Sequence, residues 1–337
     1  MHGDAMKSSV RAALGKVLLA TTLALGAISN PAVAEDVKYP SQTIRIVVAF
    51  AAGGTADALA RVIAENLARR WSSPVIVENK PGAAGNIGMA SVAKAAPDGY
   101  TLALVPVGNA AVNPSLFKDL PYDPIKDLAP ITELAVVENV LVVGGNSNIK
   151  SLAQLIELGR AKATNITYST PGAGSMAHLG AELLAHGAGI SLTHVPYRGL
   201  APALTDVLNG EITMTFAQLP NAKPFIADGR LRALGVASPK RSAALPDVPT
   251  VAEAGNLPGF EATSWYALMA PAHTPDAIIR KLQHEIAAVL QIPQVHDVLD
   301  AQGATPVGNT PEELAHVINE DTARWSKLIR DAHIELQ

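Results

Sequence analysis

Short β-branched runs alternate along the chain with stretches whose apolar residues recur at helical spacing. Residues 43–50 (TIRIVVAF) predict a buried strand, 56–70 a helix with a polar face, 75–78 a second strand, 88–95 a short helix and 101–105 a third strand. The middle repeats the pattern. A strand at 140–143 is followed by a helix at 151–161 capped by Ser151, a strand at 166–169 and a helix at 175–186 capped by Ser175. Then come a strand at 192–195, a helix at 201–208 and strands at 212–216 and 231–237. The end differs: a strand at 265–270 precedes a long helix from 275 to about 290 and two more, near 294–302 and 311–333. This alternation argues for parallel sheets with crossover helices. The proline-rich stretches 120–130 and 244–258 read as connections. The expected fold class is α/β, with two α/β lobes joined by a hinge and a ligand cleft between them. Lobe 1 is discontinuous, 35–137 with 263–337, and lobe 2 is 138–262.

The first 34 residues stand outside this pattern. Lys7, Arg11 and Lys16 precede a charge-free apolar run at 17–28, and Ala32-Val33-Ala34 forms a small-x-small cleavage site. That order is a secretory signal peptide, 1–34, removed near Ala34, which sends the mature chain to the periplasm. The apolar run is shorter than the roughly 20 residues needed to span a bilayer.

Composition narrows the chemistry. The chain has no cysteine, which removes thiolate catalysis and cysteine-ligated metals. Its formal net charge is −4, and loss of the leader makes it more acidic, so no basic field exists to hold nucleic acid. An anionic ligand must be attracted locally.

Three segments after strands supply such attraction, since ligands of open α/β sheets sit beyond the carboxyl ends of strands. The first is Phe50-Ala51-Ala52-Gly53-Gly54-Thr55-Ala56-Asp57. Its glycines present bare amides, Thr55 is placed to cap the next helix, and the helix dipole completes an anion site without a basic residue. Asp57 either complements the dipole or pins the loop amides. The second is Thr170-Pro171-Gly172-Ala173-Gly174-Ser175, with His178 in the first helical turn and Thr170 able to donate a hydroxyl hydrogen bond. The third is Val107-Gly108-Asn109-Ala110, where Asn109 can donate and accept.

Two enzymatic readings compete. Gly172-x-Gly174-x-x-Ala177 matches a dinucleotide fingerprint, but the next strand ends in His194-Val195-Pro196-Tyr197-Arg198, where only Arg198 suits a 2′-phosphate of NADP. Ser175 and His178 are three apart on one helix, yet the G-x-S-x-G elbow of a hydrolase is missing. His178, His186 and His194 are too widely spaced for a local metal motif. No cofactor and no metal are expected.

The ordered segments Tyr39-Pro40, Gly53-Gly54-x-x-Asp57, Glu78-Asn79-Lys80-Pro81-Gly82, Gly85-Asn86-Ile87-Gly88 and Pro97-Asp98-Gly99-Tyr100-Thr101-Leu102 resemble a known family. So do Leu120-Pro121-Tyr122-Asp123, His194-Val195-Pro196-Tyr197, Leu245-Pro246-Asp247-Val248-Pro249-Thr250 and Gly259-Phe260-Glu261. Across the mature chain, the sequence resembles Bug-type extracytoplasmic receptors of tripartite tricarboxylate transporters. The resemblance implies a type II periplasmic-binding-protein fold, no catalysis, and a ligand carboxylate held largely by backbone amides and bridging waters. It places Phe50, Ala51, Gly53, Gly54 and Asp57 in one ligand loop and Thr170, Gly172, Ser175 and His178 in the other. Gly108, Asn109, Tyr197 and Gln218 complete the candidate set. The implied partners are a small carboxylate and the membrane components of such a transporter, or a sensor protein, with the receptor itself monomeric. The family usually carries proline at Ala49, often at Ala51, and commonly Asp at Ala217. An acid there can meet a ligand ammonium, so Ala217 points to a ligand without an amino group: a di- or tricarboxylate or an aromatic acid.

Overall fold

The computed structural model describes residues 39–337 apart from 198, 332, 333 and 335–337. The leader at 1–34 and Arg198 therefore lie outside the described residues. Two sheets organise the rest. The first takes strands β1 (Ile44–Val48), β2 (Val75–Asn79), β3 (Thr101–Pro106), β4 (Leu128–Val137), β10 (Ser264–Pro271) and β11 (Ala304–Pro306), in the order β11-β4-β10-β3-β1-β2. The second takes β5 (Asn139–Gly144), β6 (Thr167–Thr170), β7 (Thr193–Pro196), β8 (Met214–Gln218) and β9 (Leu231–Val236), in the order β7-β6-β8-β5-β9. Each sheet mixes a parallel part, β2-β1-β3 and β7-β6-β8, with an antiparallel part added by the crossing strands.

Helices pack on both sheets. On the first lie α1 (Thr55–Trp71), α2 (Asn86–Ala93), α3 (Asn113–Leu116), α9 (Asp276–Leu290), α10 (Pro293–Ala301) and α11 (Pro311–Asp331). On the second lie α4 (Leu152–Arg160), α5 (Met176–Ala188), α6 (Leu200–Asn209), α7 (Leu219–Ala227) and the short α8 (Val251–Gly255). In α1 the buried Leu59, Ile63 and Leu67 repeat every four residues, while Arg61, Glu65 and Arg69 face water. The central strands β5 and β10 are buried at every position, whereas the edge strands β2 and β7 stay partly open.

The sheets are joined where β4 runs into β5 through Glu138, and again where the chain returns from β9 to β10. The two crossings are bonded to each other. The buried Asn139 donates its amide to Ala262 O (2.6 Å) and Ser264 Oγ (3.1 Å), and Ala237 N donates to Asn139 O (2.7 Å).

Several expectations need correction. The connection at 120–130 already contains the start of β4, and Pro130 lies inside that strand. It is tolerated because β11 pairs only with the far end of β4, at Ala135–Val137, and the partner β10 shifts register opposite Pro130. The connection at 244–258 holds α8, which starts with a capping box of Thr250 and Glu253. Helix α7 begins directly at the end of β8 with Pro220 in its first turn, where a missing N–H costs nothing. The segment at 107–110 is no open loop: Gly108–Val112 is a π-helical turn running into α3.

Candidate ligand-binding site

The loop after β1 is built around Asp57. Its buried carboxylate accepts Gly53 N (3.0 Å) and Arg61 Nε (2.9 Å) on Oδ2, and Asn79 Nδ2 (3.0 Å) on Oδ1. The same Asn79 amide donates to Phe50 O (3.0 Å), so β2 holds the loop from the other side. The Arg61 hydrogen bond, helped by Gly53 and Asn79, holds the Asp57 carboxyl at about 2 against the opposing effect of burial. Asp57 therefore pins the loop, and Gly53, at φ +91°, turns its amide inward to meet it. This corrects the expectation of two bare glycine amides. Thr55 does not cap either: Gly54 is the N-cap residue, with no side-chain cap, and the Thr55 hydroxyl donates to Gln218 Oε1 (3.0 Å). The first-turn amides of α1 have no acceptor within their helix. Ala51, Gly53, Gly54 and the Phe50 ring, 37% exposed, form the open rim.

The loop after β6 consumes its own hydroxyls. Ser175 caps α5, accepting His178 N, and its Oγ donates to Gly172 O (2.7 Å). Thr170 Oγ1 accepts Gly172 N (3.2 Å) and bonds His194 Nε2 (2.7 Å). The Thr170 hydroxyl, expected to be able to donate a hydrogen bond, is thus engaged within lobe-2 elements, with Gly172 and His194. Gly174 N donates to His178 Nδ1 (3.2 Å), which places the neutral ring's proton on Nε2. Burial first, then the neighbouring His194, push His178 down to about 4. The His178 and His194 rings stack at 4.4 Å, with Tyr168 continuing the pile at 4.9 Å from His194. Burial lowers His194 as well, so the stack is uncharged at neutral pH.

The third segment is structural at its polar end. Asn109 is buried; its amide donates to Ala84 O (3.0 Å), and its carbonyl accepts the Tyr122 hydroxyl (2.9 Å). Asn113 Nδ2 donates to Asn86 Oδ1 (2.7 Å) beside it. A Cβ on Gly85 would lie 3.0 Å from Asn109 Oδ1 and 3.1 Å from the Phe50 ring, so Gly85 lets these two approach.

The segments from the two sheets meet. A Cβ on Gly108 would stand 3.3 Å from Gly174 O, and one on Gly174 3.1 Å from Leu116 and 3.3 Å from Asn113. Gln218, at the end of β8, takes the Thr55 hydroxyl and donates Nε2 to the Tyr266 hydroxyl of β10 (2.8 Å). Tyr197 is not part of this meeting. Its hydroxyl donates to Asp206 of α6, and its ring packs with the apolar cluster around Leu204 and Val207. Ala217 lies fully buried in that same cluster, so an acid at this position would not face the converging loops. Asn79, His194 and Tyr266 were not singled out by residue chemistry alone. Asn79 carried a signal only as part of a family-like segment, His194 was weighed only for a metal motif and as part of such a segment, and Tyr266 carried none.

The geometry removes the hydrolase reading. Ser175 Oγ is spent on its own loop, and His178 offers it no basic nitrogen, because Nδ1 takes Gly174 N–H. Segments 50–57, 107–113 and 170–178 contain no Lys or Arg.

Two mixed sheets joined by paired crossings, with strand-end loops meeting between them, define a periplasmic-binding-protein fold, the class of solute-binding receptors. Residues 59–334 match the sequence model of the family described as tripartite tricarboxylate transporter family receptor, and the chain belongs to that family. Protein BugT of Bordetella pertussis is 37% identical over 316 residues, covering 94% of this chain and 96% of its own. Among solved structures, R. palustris Rpa4515 with adipate is 35% identical at a TM-score of 0.81, covering 89% of this chain and all of that one (100%). MatC (Rpa3494) from Rhodopseudomonas palustris with bound malate is 33% identical at 0.77, covering 86% and 100%. The chain is accordingly a solute-binding receptor and not an enzyme. Among the described residues, no helix is long and apolar enough to cross a membrane.

Proposed function

We propose that this receptor captures a small carboxylate, a di- or tricarboxylate or an aromatic acid, between lobe 1 (35–137 and 263–337) and lobe 2 (138–262). The observation that carries the reading is that both helix N-termini lie where segments of the two sheets touch: α1, after Gly54, reaches Gln218 through Thr55, and the loop before α5 meets Gly108 at Gly174. Unpaired first-turn amides and the positive end of each dipole attract an anion without a cationic side chain. The adipate and malate held by the two solved relatives support this ligand class. Preference for a ligand without an ammonium group now rests on Asp57, whose carboxylate is fully occupied by Gly53, Asn79 and Arg61. Phe50, Ala51, Gly53, Gly54, Gly172, Ser175 and the positions behind them, Asp57, Thr170 and His178, form the binding set. Delivery to the membrane components of a tripartite transporter, by a monomer exported with cleavage near Ala34, completes the reading.

The test is thermal unfolding of the mature protein with adipate, malate, citrate, benzoate, aspartate and NADP in turn. Saturation at 100 times Kd adds about 2.7 kcal/mol, a rise of roughly 5 °C at this size. A rise with one carboxylate class supports the reading and names the class. A rise with aspartate alone overturns the preference against amino groups, and one with NADP alone overturns the carboxylate reading.

A further inference from the structure

The carboxamide of Gln218 joins the end of a second-sheet strand to two separate elements of the first. Its Oε1 accepts from Thr55 on α1 (3.0 Å), 163 residues away in sequence. Its Nε2 donates to the Tyr266 hydroxyl on β10 (2.8 Å), 48 residues away. Thr55 and Tyr266 are each nine-tenths buried, at 9% and 8% exposed. A primary amide needs a donor for its oxygen and an acceptor for its nitrogen, and the two hydroxyls supply one each. Flipping the amide leaves both contacts intact, because either hydroxyl can play either part.

Gln218 also stands beside the hinge. It pairs in register with Asn139, the residue that ties the two crossings together, and Leu219 N donates to Glu138 O (2.8 Å). Tyr266 lies two residues past Ser264, the other end of that tie. When lobes rotate about a hinge, groups near the axis move little and groups farther along move more. The Tyr266 contact is therefore the pivot that orients the carboxamide. The Thr55 contact, made to the first turn of α1, is the one that opening must break.

We infer that Gln218 is a positioning residue that latches the receptor closed: Tyr266 aims its carboxamide, and Thr55, at the mouth of the α1 anion seat, is the catch. The latch rests on the two-lobe receptor reading for its purpose, and its geometry involves protein atoms only. It sets how often the lobes meet before any acid is bound. It also fixes the Thr55 side chain away from the ligand, leaving the α1 amides to do the binding. Loss of one or two neutral hydrogen bonds shifts a closed-to-open ratio by up to about tenfold.

The test exploits the absence of cysteine from the chain. Spin labels at Ile76→Cys and Ala201→Cys, exposed positions on the two lobes, report the interlobe distance by pulsed electron resonance with no acid added. Gln218→Ala and Thr55→Val should each move population from the short to the long distance, by about tenfold in ratio, and the double variant should move it no further. Circular dichroism and melting temperature verify folding. Should Gln218→Ala fail to fold, the near-isosteric Thr55→Val carries the test alone. An unchanged distance distribution in Thr55→Val, or additive effects in the double variant, overturns the latch. Failure of the carboxylate reading would appear instead as a flat thermal panel, so the two failures are distinguishable.

Discussion

Asp57 and His178 sit in equivalent places, each in the first turn of a helix, and each holds a glycine amide of its own loop. Their charges differ because their partners differ. Asp57 is anionic through Arg61, and at about 2 it ionises well below the usual 3.8. Its contribution to stability is present above pH 4 and is lost as pH falls through 2. Because Arg61 is about half exposed, at 54%, we expect Asp57→Ala to cost about 1–2 kcal/mol in denaturant unfolding. Its larger effect should be at least a tenfold loss of carboxylate affinity in calorimetry, as Gly53, Asn79 and Arg61 are all released. His178 has the opposite linkage. Its native pKa of about 4 lies below the 6.5 of the unfolded chain, so the unfolded state takes up the proton first. This contribution should be flat above pH 6.5 and fall between 6.5 and 4, by about 3 kcal/mol at most. Across a pH series, the difference in melting temperature between the natural protein and His178→Gln should follow this slope. Between pH 7 and 8 neither native group changes charge and the carboxylate ligands are fully ionised, so ligand affinity should be level over that range.

At the scale of elements, the two anion-facing helices are started differently. Helix α5 carries a side-chain cap, and Ser175→Ala should lower stability by about 1 kcal/mol while exposing the Gly172–Gly174 loop to rearrangement. Helix α1 begins at Gly54 with none, which leaves its first amides open to a ligand. A Cβ on Gly54 meets nothing within 4 Å, and its backbone is extended. Gly54→Val should therefore fold with an unchanged melting temperature yet lose the thermal response to carboxylates. Normal affinity in that variant would remove the first loop from the site. Gly174 is the reverse case: at φ +77°, with Leu116 and Asn113 against it, it admits no side chain without strain where the sheets meet.

Across the whole molecule, α11 closes the first sheet from outside and brings Asp321 towards Glu133 of β4. Burial first, then the Asp321 charge, raise Glu133 to about 7, although Asn309 donates to it (3.2 Å). A carboxyl raised above its unfolded value stabilises the native state below that value and loses the contribution as pH climbs to 7. Glu133→Gln should therefore melt higher than the natural protein at pH 8, by about 2 kcal/mol of stability, with little difference near pH 4.5. In the natural protein this loss runs against the His178 gain between pH 4.5 and 6.5, which places the stability maximum in mildly acidic solution.

Local pattern alone determined much of this. Strand and helix positions through β3, the caps Ser151 and Ser175, and the two loops at 50–57 and 170–178 were legible, because each rests on neighbours within a few residues. The family-like segments carried the receptor class for the same reason, as ordered short motifs. Tertiary structure decided the rest. Strand β4 was hidden by Pro130, whose tolerance depends on which partner leaves its edge unpaired. Whether a hydroxyl or amide serves a ligand or the fold depends on partners far along the chain: Thr170 on His194, Asn109 on Ala84 and Tyr122, Thr55 on Gln218. The side of the sheet that Ala217 and Tyr197 face follows from strand register and helix packing. Hydrogen-bond partners at long sequence separation are set by how sheets stack, and no local spacing encodes them.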